Sequence, residues 1–205
     1  MHIIAKREPF PHIIINDLFT EEEYALIWKE LSFITPKMLS PDKTSAASDF
    51  DGNLSKQGKG IFLRDFYLDK SVSDIQKITR KMFCKEIRDA CNSLDLYFKQ
   101  YKKLIHDDVL VQSYYNGDYY NEHDDYAVFT IVTLLHKKPK AYDGGELIFP
   151  EYNYNPNLQN NTSIIFPSII LHEVTEVKMQ TYNREDGRYT ISQLCQISPL
   201  NIETR

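Results

Sequence analysis

The hydrophobic pattern of this chain changes period near residue 105, and that change limits the folds open to it. From there to the C-terminal region, short runs rich in Val, Ile, Thr, Tyr and Phe alternate with turn residues. They predict strands over 109–115, 127–135, 146–149, 162–166, 170–177 and 188–196. The preceding part reads mostly as helix. Phe10–Ile15 predicts an initial strand, and Thr20-Glu21-Glu22-Glu23 has the form of a capping box. In it Thr20 caps the backbone N–H of Glu23 while the Glu23 carboxylate reaches back. The helix so begun carries Tyr24, Ile27, Trp28 and Leu31 on one stripe, with Trp28 read as core. Residues 36–60 lose all periodicity and collect Ser, Lys, Asp and Gly. A loop of that length is either a functional lid or a solvated insertion. Ile61–Leu68 predicts a further strand. Val72–Tyr101 predicts helix in one or two segments, buried along Ile75, Ile78, Met82, Phe83, Ile87 and Leu94. Helices first and strands later, without a βαβ rhythm, indicate an α+β fold rather than a parallel sheet.

Length and composition set the remaining bounds. At 205 residues with 42% hydrophobic and 26% charged content, the chain fits one soluble domain with a sizeable core. Residues 1–105 would serve as N-terminal support and 106–200 as the functional core. A net charge of −5 argues against tight non-specific binding to nucleic acid. Three cysteines, Cys84, Cys91 and Cys195, form no CxxC pair, and their odd number suggests a reducing compartment. Cys84 and Cys91, seven apart in a helical run, are expected to share one face as small apolar residues. There is no apolar run of membrane-spanning length and no signal-peptide core, so a cytoplasmic location without membrane attachment is expected.

The chemistry concentrates in His123-Asp124-Asp125, a distant His172, and Arg188-Tyr189-Thr190. Residues i and i+2 of an extended strand point to the same side, so His123 and Asp125 can grip one metal ion while His172 arrives from another strand. Two imidazoles and a carboxylate form the facial ligand set of non-haem Fe(II) sites, which leaves coordination positions open. A second copy of the spacing, His106-Asp107-Asp108, follows a lysine-bearing helical stretch and reads as a solvated connector. Six to eight strands with a metal site near one end fit a double-stranded β-helix, the cupin-like jelly roll, with N-terminal helices packed against it.

A larger pattern surrounds these residues. Tyr114-x-x-Gly117-Asp118-x-Tyr120-x-x-His123-x-Asp125, then Tyr142-Asp143-Gly144-Gly145-Glu146-Leu147, Phe166-Pro167, Leu171-His172-Glu173-Val174 and Gly187-Arg188-Tyr189 follow in order. This resembles the Fe(II)/2-oxoglutarate dioxygenase superfamily in its prolyl 4-hydroxylase-like branch, over roughly residues 110–196. The resemblance implies Fe(II), 2-oxoglutarate and O2 as cofactors, with ascorbate as a reductant. It implies that His123, Asp125 and His172 hold the iron through which catalysis runs. Arg188 would pair with the distal carboxylate of 2-oxoglutarate, with Arg184 as a nearby rival. Thr190 would add a hydroxyl, and Tyr114 is either a cosubstrate contact or a core tyrosine. Gly144 and Gly145 would serve a tight turn and close backbone approach. Arg64 is a candidate substrate contact, and 178–186 a candidate hairpin at the rim.

The resemblance also implies hydroxylation of a peptidyl proline, with a peptide or protein as partner. Alternatives are another residue, a small molecule, nucleic acid, or a zinc-binding non-oxygenase jelly roll. Against nucleic acid, the position six residues after Arg188 is Leu194, where nucleic-acid demethylases carry a second arginine. One departure from the pattern is plain. The strand Ile131-Val132-Thr133-Leu134-Leu135-His136 lacks the tyrosine that several prolyl hydroxylases use to bind 2-oxoglutarate there.

Overall fold

The structure is a computed structural model that describes residues 1–44 and 55–197. Its strands are β1 (His2–Lys6), β2 (His12–Asn16), β3 (Lys59–Phe62), β4 (His106–Tyr114), β5 (Tyr120–His123) and β6 (Phe129–Leu135). They continue as β7 (Asp143–Gly144), β8 (Leu147–Ile148), β9 (Thr162–Pro167), β10 (His172–Val174), β11 (Val177–Lys178) and β12 (Arg188–Gln196). Seven of them form one antiparallel sheet in the order β1-β2-β9-β6-β12-β4-β3. Two smaller antiparallel sheets have the orders β5-β10-β8 and β11-β7. With helices α1 (Glu21–Ile34), α2 (Leu63–Phe66), α3 (Asp74–Thr79) and α4 (Lys85–Leu94), the fold is α+β.

Side-chain alternation divides the large sheet into two functions. Ile13, Ile15, Val109, Val111, Phe129, Ile131, Ile165, Tyr189 and Ile191 point to one face. There they bury against Ile27, Trp28 and Leu31 of α1, Ile75 of α3, and Ile87 and Cys91 of α4. The opposite face presents Ile14, Val132, Ile164 and Phe166 to Leu147 and Phe149 from the small-sheet side. Each fully buried aliphatic side chain stabilises by about 1.5–3 kcal/mol. A one-residue slip of any central strand would exchange the two faces, so the register is tightly specified. That register sets Arg188 opposite Tyr114 and Thr190 opposite Gln112 on the face turned away from the helices.

The capping box forms as the sequence indicates. Glu23 N–H donates to Thr20 Oγ1 at 3.2 Å, and Thr20 N–H to Glu23 Oε2 at 2.8 Å. Other expectations need correction. Strand 61–68 ends at Phe62, where pairing with β4 stops at Leu110; Leu63 then turns into the core and α2 begins. The helical region 72–101 is broken, because Cys84 is extended and serves as the N-terminal cap of α4. Cys84 therefore stands just outside the helix that carries Cys91, but it is half-buried against the same core. The stretch 170–177 is split, with β10 ending at Val174 and β11 beginning at Val177 against a different strand, β7. His106 opens β4 rather than lying in a connector, with Nε2 3.4 Å from Asp108 Oδ1.

Of the expected long loop, residues 36–44 and 55–60 contain short helical turns and the start of β3, joined by mutual bonding of Leu39 and Gly60. The rest of it, 45–54, lies outside the described residues. Residues 178–186 form no separate hairpin and end in a single helical turn, Arg184–Asp186. Two further strands, β1 and β7, were not expected from the pattern. Among the described residues no helix is long and apolar enough to cross a membrane.

Candidate metal centre and carboxylate pocket

His123 ends β5 and faces His172, the first residue of β10, across the ladder. Their rings lie 4.3 Å apart between centroids. Asp125, two residues past the end of β5, is pinned by its backbone N–H, which donates to Ser168 O at 3.0 Å. Ligand atoms of His123, Asp125 and His172 all lie within 4.8 Å of one another. His172 Nε2 is 3.4 Å from Asp125 Oδ2. In both histidines Nδ1 lies on a backbone carbonyl, Asn121 O at 2.8 Å and Ile170 O at 3.0 Å. A carbonyl only accepts, so the proton sits on Nδ1 and the Nε2 lone pair faces the centre. Burial, with His172 alongside, lowers the His123 pKa to about 4, so near neutral pH no proton competes for that lone pair. Two imidazoles and one carboxylate at this spacing suit a divalent first-row metal.

Asp125 is held from a second direction. Thr130 Oγ1 donates to Asp125 Oδ2 at 2.6 Å and lies 2.9 Å from Ser168 Oγ. Neither Thr130 nor Ser168 stands out in the sequence; only their inward parity and proximity to the ligands reveal them. Losing an outer-shell partner of this kind typically costs about 10–100-fold in metal affinity. Thr130→Val, which keeps the side-chain shape, is expected to weaken Mn(II) or Fe(II) binding by that factor in a metal titration. Unchanged affinity would reduce Thr130 to a packing residue.

Beside the metal ligands a cleft is lined by Gln112 and Tyr114 of β4 and by Arg188, Thr190 and Ser192 of β12. Arg188 is 1% exposed, its guanidinium lies 5.1 Å from the Tyr114 ring centre, and its Nε donates to Gly145 O. Its Nη1 is buried without a hydrogen-bond partner among the described residues. A buried guanidinium with an unused donor is costly unless an anion completes it. Gly144 and Gly145 adopt φ of +66° and +64°. At Gly145 a Cβ would stand 2.6 Å from Arg188 Cδ, so only glycine lets Arg188 pass.

Gln112, which parity alone singles out, connects the polar wall. Its Nε2 donates to the Tyr114 hydroxyl at 3.0 Å, and its Oε1 accepts from Thr190 and Ser192 at 3.3 Å each. Tyr114, as acceptor of that bond, keeps its own proton to donate, and burial raises its pKa far above the solvent range.

The structure thus gathers His123, Asp125, His172, Tyr114, Arg188 and Thr190 around one cleft. Arg64 is not among the residues lining it; the guanidinium is paired with Asp108 and lies over Phe62. Arg184 is exposed, with its backbone carbonyl taken by Tyr115 and Tyr189. Lys56, which the sequence pattern did not flag, lines the cleft while only 1% exposed.

Residues 109–194 match the family model of the 2OG-Fe(II) oxygenase superfamily. Among curated proteins none matches the sequence. The structure is similar to a Pseudomonas putida prolyl-4-hydroxylase, with TM-score 0.57 and 13% identity over 90% of this chain and 91% of that one. It is also similar to the viral collagen prolyl hydroxylase of Paramecium Bursaria Chlorella virus-1 in its 2OG complex (TM-score 0.51, 16% identity, covering 90% and 94%). A third likeness is to EctD from S. alaskensis with 2-oxoglutarate and 5-hydroxyectoine (TM-score 0.53, 12% identity, covering 90% and 71%). At these identities the likeness is one of fold.

Proposed function

From the match of residues 109–194 to the family model of the 2OG-Fe(II) oxygenase superfamily, we propose that this chain hydroxylates an unactivated C–H bond of a peptidyl proline. The balanced reaction consumes substrate, 2-oxoglutarate and O2 and yields hydroxylated substrate, succinate and CO2. The observation that carries the reading is the convergence on one cleft of a three-ligand metal set and a buried arginine with an unpaired donor. We read the three antiparallel sheets as a double-stranded β-helix, and residues 1–205 as a single domain.

His123, Asp125 and His172 would hold Fe(II), which when bound supplies O2 activation coupled to decarboxylation of the cosubstrate. Arg188 receives the distal carboxylate of 2-oxoglutarate on its free donor, because the planar fork matches a carboxylate better than an ammonium does. Thr190 and Tyr114 offer hydroxyls on the same wall, and the Gln112 network takes the place of the missing strand tyrosine. Leu147, Val132 and Val174 line the cleft with apolar surface that excludes water. Gly145→Ala is expected to displace Arg188 and raise KM for 2-oxoglutarate by about 10–100-fold, the usual cost of misplacing a binding group by an ångström. An unchanged KM in steady-state assays would separate Gly145 from cosubstrate binding.

A peptide substrate is supported by the surface beside the ligands. Tyr126 and Ile169, neighbours in the chain of Asp125 and Ser168, stand 90% and 72% exposed, and exposed apolar side chains beside a cleft suit an extended partner. The test is incubation of the Fe(II)- and 2-oxoglutarate-loaded protein with proline-containing peptides and with the same peptides carrying leucine instead. Succinate matched by one added oxygen on proline supports the reading. Equal oxidation of the leucine peptides, or of free small molecules alone, contradicts it.

A further inference from the structure

Lys56 is a buried cation that makes no ion pair among the described residues. Its segment is bonded to the edge of β5: Asn121 N–H donates to Ser55 O at 2.8 Å, and Gln57 N–H to Tyr119 O at 2.9 Å. This places Lys56 opposite Tyr120. Its Nζ lies 5.1 Å from the centre of the Tyr120 ring, whose other neighbour in the stack is the His123 imidazole at 3.6 Å. It also lies 6.0 Å from the Tyr114 ring centre, so the ammonium is held by aromatic surface at the cleft that carries the metal ligands. Among the described residues it makes no ion pair, although the field of Asp125 and Asp118 reaches it. Burial, against which those carboxylates work, lowers its pKa to about 8, which leaves it mostly charged at neutral pH.

Charge balance says what is missing. Among the described residues lining the cleft, two cations, Lys56 and Arg188, stand against one carboxylate, Asp125. Fe(II) and 2-oxoglutarate, taken together, add no net charge. On the oxygenase reading one carboxylate of 2-oxoglutarate would pair with Arg188 and the other would lie at the metal ligands, which would leave neither for Lys56. A desolvated ammonium persists in such a place when a ligand completes it.

We infer that Lys56 is a specificity-determining residue that pairs with a carboxylate of the substrate close to the carbon being hydroxylated. The inference rests on the oxygenase reading above and narrows its substrate class. The carboxylate can come from an acidic side chain next to the target residue or from a free α-carboxyl group.

The test uses full-length protein loaded with Mn(II) and 2-oxoglutarate, which binds without turnover, and follows binding by calorimetry. The probes are matched pairs: blocked peptides with Pro-Glu against Pro-Gln, and acetyl-Ala-Pro as free acid against amide, each repeated with leucine for proline. The wild type is expected to bind the acidic member of at least one pair about tenfold or more tighter, as suits a charge-assisted contact. Lys56→Met should bring that preference to within about twofold, and Lys56→Arg should keep most of it, with 2-oxoglutarate affinity unchanged in both. The responsive pair identifies the source of the carboxylate. Acid preference shown equally by the leucine probes would leave Lys56 in this role while removing proline as the target. The inference is overturned by wild-type protein that prefers no acid in any pair, by preference that survives in Lys56→Met, or by 2-oxoglutarate affinity that falls with Lys56→Met. A mere drop in melting temperature with unaltered preference also overturns it.

Discussion

Replacing His172 by alanine is expected to abolish metal-dependent turnover while the protein remains folded. The imidazole is 4% exposed, yet it faces the cleft, with Phe166 against one edge and His123 across the centre. Its loss removes one of three ligands. Outer-shell losses alone cost about 10–100-fold in affinity, and removal of a ligand exceeds that. The far-ultraviolet circular dichroism spectrum and the cooperativity of melting should be retained, because the two cores that join the sheets and helices do not use His172 as a member. Succinate formation should fall to background, and metal titration should show the same loss. Full activity in this variant would sink the metal assignment.

The second large effect concerns Arg188. Exchange for methionine, which keeps much of the volume, is expected to raise KM for 2-oxoglutarate by about 30-fold or more, since loss of one partner of a buried charge pair costs about 2–5 kcal/mol. Arg188→Lys should recover only part of this, because the ammonium lacks the fork. Stability should respond differently. Without cosubstrate the guanidinium is buried with an idle donor, so the variant should melt no more than a few degrees below wild type while losing the rise in melting temperature that 2-oxoglutarate produces. An unchanged KM would make Arg188 a core residue. A large fall in the melting temperature of the cosubstrate-free protein would point the same way.

How much of this was readable in advance depended on periodicity. Strand β12 spans Arg188–Gln196, the limits that alternation alone suggests, and its inward residues follow from parity. Gln112 and Ser192 were open to the same argument, as i±2 neighbours of Tyr114 and Thr190, and were passed over because their side chains are unremarkable types. The pairing of His123 with Asp125 was reached by a different route from the one expected. Asp125 is not on the strand at all; it is aimed by Thr130 on the following strand, β6, and by Ser168, which is distant in sequence. The region 61–68 misled because its apolar and aromatic residues suit a strand, yet the chain leaves the sheet after Phe62 and opens α2 at Leu63 while β4 itself runs on to His106. Lys56 was hidden most completely. It sits among Ser, Lys and Gly in a stretch without period, and only the pairing of that stretch with β5 buries it.

The most direct test of the central claim is anaerobic addition of Fe(II) and 2-oxoglutarate to metal-free protein, followed by admission of O2. The account predicts a visible charge-transfer absorption that needs both additions, is absent in His172→Ala, and decays on exposure to O2 as succinate forms. No absorption with Fe(II), together with tight Zn(II) binding and no succinate, would contradict it and make the three-residue cluster a zinc site on a non-oxygenase jelly roll.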